Sequence, residues 1–146
     1  MNPVIPLFWS SMALTVLSNI GYHLCQKGIP PTANPLLSVL VTYIVAFSLT
    51  LTGVPLFFPH LQLGAELRNL NWATYALGFA AAGLELGFLL AYRAGWNLSL
   101  GALFSNVLVT LLLIPVGVLA YKEVLPGRTL VGIALSLVGL YLMGTK

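Results

Sequence analysis

Charge is nearly missing from this sequence. Three acidic and six basic side chains are spread over 146 residues, and 59% of the chain is hydrophobic. The mean hydropathy is +0.98. An ordinary soluble domain carries about 25% charged residues. A soluble chain of this length has too much surface for its volume to hide so much apolar area. A water-soluble globular domain is excluded, and lipid is the natural solvent. The formal charge is +3, but the scattered Lys and Arg form no patch. That excludes a nucleic-acid partner and places these side chains at lipid headgroups.

Other shortages exclude other chemistries. Cys25 is the single cysteine, so no intrachain disulfide can form. His23 and His60 stand far apart with no Cys/His cluster, so no metal site is expected. No Ser/His/Asp set and no glycine-rich phosphate loop is present, so neither an enzyme, an ATPase nor a cofactor is expected. No Lys or Arg precedes the first apolar run and no A-x-A site follows it, which reads as a retained membrane helix. With no linker and no low-complexity tail, residues 1–146 read as one transmembrane domain.

Long apolar runs are what the sequence has instead. A membrane helix needs about 20 mostly apolar residues. Five stretches qualify, at 4–24, 35–58, 72–92, 98–121 and 129–143. Lys27-Gly28 and Pro30-Pro31 close the first, and Pro115 lies inside the fourth. The segment 60–71 is too polar to span. The runs are continuous rather than alternating, which favours helices over a barrel. The expected fold is an all-α integral membrane protein with about five transmembrane helices.

The basic residues divide evenly between the two sides of such a bundle. The N-terminal side holds Arg68, Lys122 and Arg128; the other holds Lys27, Arg93 and Lys146. Cytoplasmic loops normally carry the excess, and that excess sets orientation. A balanced count points to insertion in both orientations, although so few charges also balance by chance. An odd span number makes two oppositely inserted copies an inverted repeat, the arrangement many transporters use.

Residues 91–144 resemble the C-terminal half of an EamA-type repeat of the drug/metabolite transporter superfamily. The resemblance rests on the small-residue turn Ala94-Gly95, a helix with an internal polar position, the pair Lys122-Glu123, and the glycines Gly132, Gly139 and Gly144. Trp9-Ser10-Ser11 and the Gln26-Lys27 ending are compatible with it. Typical members hold two inverted five-helix repeats. The resemblance therefore implies a half-size unit completed by an antiparallel homodimer, and export of small organic molecules. Short relatives in the superfamily use a Glu in their first helix; this chain has none there, so that role does not carry over.

Glu85 is the candidate that carries chemistry. It lies past the middle of the third span, where an ionisable group is costly and usually faces a cavity or a partner. Such a carboxyl can exchange a proton for a cationic substrate. Phe88 and Tyr92, a turn or two along, can flank a ligand. In the first span Ser11, Thr15, Ser18, Asn19 and Tyr22 recur at helical spacing. They form either a cavity wall, with Thr15, Asn19 and Tyr22 reaching substrate, or the bonding between helices. Asn106 in the fourth span reads the same two ways, with Pro115 as a hinge or a static bend. His23 and Arg93 fall at one membrane face, where either could pair with Glu85 or snorkel. Lys122-Glu123 reads as a headgroup-level pair that fixes depth.

The leading expectation is a secondary transporter of a metabolite, amino acid or drug, proton-coupled, working as an antiparallel homodimer. Its partners are the substrate, protons and lipids, and its place is the cytoplasmic membrane of a bacterium or archaeon. The alternatives are a lipid or lipid-linked-sugar flippase subunit, a dual-topology channel, and a subunit that transports nothing.

Overall fold

The computed structural model describes residues 4–144, and among them the chain is helical with no strand. The order is α1 (Val4–Gly28), α2 (Pro35–Phe57), α3 (Leu63–Asn69), α4 (Trp72–Arg93), α5 (Leu98–Ala120) and α6 (Gly127–Gly144). That is six helices where the sequence led us to expect five. The extra one is α3, within the polar segment between the second and third apolar runs. Ala65, Glu66, Leu67 and Arg68 are good helix formers. Glu66 stands in its first turn and Arg68 in its last, each at the end of the helix dipole that favours its charge.

Three helices are long and apolar enough to cross a membrane: α2 with 23 residues, α4 with 22 and α5 with 23. In α1 the run of Ser10, Ser11, Thr15, Ser18 and Asn19 dilutes the apolar content. The last helix is apolar over Gly127–Leu142, shorter than the other runs. The first helix continues four residues past the expected end at 24, through Lys27 to Gly28.

Asparagine precedes each of the three apolar helices. Asn34 Oδ1 accepts from the Leu37 amide at 3.1 Å, with Pro35 opening α2. Asn71 Oδ1 accepts from the Ala73 amide at 3.0 Å at the start of α4. Asn97 is the N-cap residue of α5. Helix starts leave backbone donors without partners, and an asparagine oxygen is well suited to meet one.

Exposure is inverted relative to a soluble domain. Phe79 is 83% exposed, and Leu112 and Leu119 also point outward, while His23 and Gln26 are buried. Large contiguous apolar surface of this kind marks contact with lipid or a partner. The hydroxyls scattered over the helices do not contradict this. Ser48 donates to the Ile44 carbonyl at 2.8 Å, Thr52 to Ser48 at 2.9 Å and Ser136 to Gly132 at 2.9 Å. Each is satisfied within its own helix and can face hydrocarbon without an unmet donor.

The chain forms two units, one ending at Gly95 and one beginning at Trp96. In the first, α4 packs against both α1 and α2. The Lys27 ammonium donates to the Tyr92 carbonyl at 3.4 Å, and Arg93 Nη2 to the Pro30 carbonyl at 3.2 Å. The C-terminal ends of α1 and α4 therefore lie together, and the two helices run in one direction. Gly95, at φ 99°, takes the left-handed turn that ends α4. In the second unit α5 packs on α6, and the Trp96 and Phe104 rings lie 5.3 Å apart. Lys146 lies outside the described residues.

After α5, Lys122 adopts φ 54°, the left-handed region that disfavours side chains with a Cβ. The turn sends the Glu123 amide back to the Gly117 carbonyl at 3.0 Å. The Glu123 carboxylate comes to rest over Gly117, where an added Cβ would sit 2.5 Å from its Oε2. Glu123 thus folds back on the helix end that precedes it. Lys122→Gly removes the left-handed strain and is expected to stabilise the protein by about 1 kcal/mol. Thermal unfolding in detergent checks this, and an unchanged or lower midpoint argues against the turn.

Candidate functional site

Glu85 stands where three helices of the first unit converge. The face of α1 turned toward it carries Tyr22, His23 and Gln26, spaced three to four apart along one side of the helix. Gln26 is 5% exposed. Its Nε2 donates to Glu85 Oε2, to the Glu85 backbone carbonyl at 3.3 Å and, more weakly, to the Tyr22 hydroxyl at 3.4 Å. One amide thus holds the carboxyl and its own backbone together. Glu85 Oε1 has no hydrogen bond among the described residues, and neither has the buried Gln26 Oε1.

Beyond Glu85, toward the end marked by Lys27 and Arg93, an aromatic plug closes the α1–α4 seam. The Tyr92 hydroxyl and His23 Nδ1 share a hydrogen bond of 2.8 Å. Phe88 lies edge-on to His23 at 4.7 Å between ring centroids and stacks on Tyr92 at 5.9 Å. Leu89, 1% exposed, is sealed beneath. The Lys27 ammonium sits 5.6 Å over the Tyr92 ring. The plug rigidifies one end of the seam and screens Glu85 from that membrane face.

Toward the other end, α4 turns a small-residue face to α2. Tyr43, Tyr75, Gly78, Phe79 and Ala82 line a groove of about 440 Å³ there. The Tyr43 hydroxyl is buried without a hydrogen-bond partner.

Of the residues expected from the sequence, the structure brings Glu85, Tyr22 and Tyr92 into one cluster. Thr15 and Asn19 are exposed on α1, away from it. The Thr15 hydroxyl donates back to the Ser11 carbonyl at 2.9 Å. Asn106 belongs to the second unit. There it lines a notch of about 140 Å³ with Val107, Thr110, Leu111, Ile133 and Ser136. Pro115 has no N–H for the Leu111 carbonyl, so the notch also holds a carbonyl outside the helix ladder. His23 and Arg93 do lie at one end of the unit, but neither pairs with Glu85: His23 meets Tyr92 and Arg93 meets Pro30. The partner is Gln26, which the sequence reading passed over. Its signal was present, since the series 11, 15, 19, 22 reaches 26 at the next step.

A carboxyl with one oxygen held and one unengaged can bind a proton or a cation. Among the described residues no group of His, Cys, Asp and Glu could hold a metal ion. If Gln26 is the partner that makes Glu85 tolerable in an apolar helix, the two positions are coupled. Gln26→Leu alone is expected to cost about 1–3 kcal/mol by leaving the carboxyl unmet. Gln26→Leu with Glu85→Leu is expected to recover most of that loss. Unfolding midpoints of the four proteins close this cycle, and strictly additive effects would mean that the contact is not made.

Comparisons with protein-family models, with curated proteins and with solved structures gave no match to this chain.

Proposed function

We propose that this chain is a secondary transporter of small organic molecules, with Glu85 as its coupling carboxyl. The observation that carries the proposal is the state of Glu85: an ionisable group inside a membrane-capable helix, held through one oxygen by Gln26 and unengaged at the other. Intramembrane carboxyls of this kind mark substrate and proton paths. A proton and a substrate competing for one carboxyl exchange across the membrane, and no nucleotide is needed. The small-residue turn at Ala94-Gly95 and the glycines of the last helix support placing the chain with the EamA-type half-repeats of the drug/metabolite transporters.

In this proposal α1 and α6 join the three apolar helices as spans, giving five. Two copies inserted in opposite directions then supply both halves of an alternating-access path. The balanced basic residues support that arrangement, and the membrane is the cytoplasmic membrane of a bacterium or archaeon. Export follows from the resemblance alone.

Glu85→Gln keeps the shape and the hydrogen bonding of the side chain but cannot titrate. In proteoliposomes with an internal pH dye, it is expected to abolish substrate-driven proton flux while the assembly stays folded. Proton flux at wild-type rates in this variant would remove Glu85 from the mechanism. A side-specific reporter placed after Lys146 is expected to distribute about equally between the two faces. A single orientation would sink the homodimer and direct the search to an oppositely inserted partner, as a flippase subunit would require.

A further inference from the structure

We infer that the groove between α2 and α4 binds an organic cation bearing N–H donors, a primary ammonium attached to an apolar body. Its charge lies toward Glu85 and its body against Tyr43, Tyr75 and Phe79. This names a substrate class for the transporter proposed above and rests on that reading for its biological use; the binding itself is tested separately.

The shape of the groove is the first support. Its volume, about 440 Å³, falls within the range of roughly 300–1,000 Å³ typical of small-molecule sites. Gly78 and Ala82 form its floor, and a Cβ built on Gly78 would meet nothing within 4 Å. Three aromatic rings form its walls. Phe79 and Tyr75 are largely exposed, so the groove opens sideways, toward the lipid of a membrane. A ligand that partitions into the bilayer reaches it directly.

Charge is the second. None of the lining residues is charged. Ala82 and Gly78 lie three and seven residues before Glu85, on the same face of α4, so Glu85 stands one turn beyond the residues that line the groove. It is the only anion in the candidate spans of this unit, since the other acidic residues are Glu66 and Glu123. Of the three Lys and Arg residues of this unit, Lys27 and Arg93 lie beyond the His23–Tyr92 plug, on the other side of Glu85, and Arg68 lies in α3, which carries Glu66 as well. The field along the groove therefore favours a cation, and aromatic walls add attraction for it.

Unmet hydrogen bonding is the third, and it selects among cations. Tyr43 lines the groove, and its buried hydroxyl has no partner. An ammonium at the head of the groove can donate one N–H to Glu85 Oε1 and a second to the Tyr43 oxygen. A quaternary ammonium has no N–H to give. A neutral alcohol brings no charge, and a carboxylate is repelled.

The test uses the full chain in lipid nanodiscs and calorimetric titration, with empty nanodiscs as the blank for partitioning. The probe is 2-phenylethylammonium, compared with 2-phenylethanol, phenylacetate and the N,N,N-trimethyl form of the amine. Saturable binding of the primary ammonium above the blank is expected, with the other three weaker by about tenfold or more. Glu85→Gln is expected to weaken it at least about tenfold and Tyr43→Phe about fivefold. Gly78→Leu fills the floor without touching either polar group and is expected to abolish binding, which covers the case that Glu85→Gln does not fold. The absence of saturable ammonium binding, equal binding by phenylacetate, or binding indifferent to Gly78→Leu overturns the inference. Ammonium binding without substrate-driven flux would instead overturn the transporter reading and leave the site standing. Coupled flux of an anion without ammonium binding would do the reverse.

Discussion

A carboxyl in an apolar helix has to be met from a neighbouring helix, and in this chain it is met by the amide of Gln26. The arrangement of the first unit follows from that contact. Together with the contacts of Lys27 to Tyr92 and Arg93 to Pro30, it holds α1 and α4 side by side in one direction, with their C-terminal ends together. That placement brings His23 to Tyr92 and Lys27 to the last turn of α4, so the plug beside the carboxyl is assembled by the same register. On the opposite flank α2 presents Tyr43. Glu85 thus separates a sealed end of the seam from an open groove. An asymmetry of this kind is what a path that opens to one side at a time requires.

Several other polar groups in the membrane-capable helices are handled locally. Hydroxyls bond one turn back along their own helices, and asparagine side chains cap the starts of α2 and α4. These helices therefore make few demands on one another, and their large side chains remain outward. Stability in such a unit comes from small-residue contacts and a handful of polar bonds between helices, since lipid is as apolar as leucine and gives no hydrophobic force between helices. A few contacts then set the register, and the bond from Gln26 to Glu85 is prominent among them.

How far the sequence revealed this depends on what each residue type can do alone. Run length was enough to place the long helices, because lipid thickness fixes how many apolar residues a span needs. The short α3 was missed because a seven-residue helix has no periodic apolar face to read. Glu85, Tyr22 and Tyr92 were legible, as a lone carboxyl in an apolar run and as aromatic groups at helical spacing from the polar stripe and from Glu85. The Thr15 hydroxyl bonds back within its own helix, a choice that spacing alone does not reveal. Gln26 was overlooked because it sits beside Lys27 and reads as part of a polar ending. Only the fold of α1 onto α4 shows that its amide turns inward to the carboxyl. The groove that Tyr43 lines with Gly78 and Ala82 joins α2 to α4, and no spacing within one helix encodes it.

The bond from Gln26 to Glu85 also has a consequence for how the protein is made. Its two partners are 59 residues apart in the chain. When the end of α1 leaves the ribosome, the helix that will engage its amide has not been synthesised. The contact between α1 and α4 is therefore made late: Gln26 meets its carboxyl only once α2, α3 and much of α4 have been added.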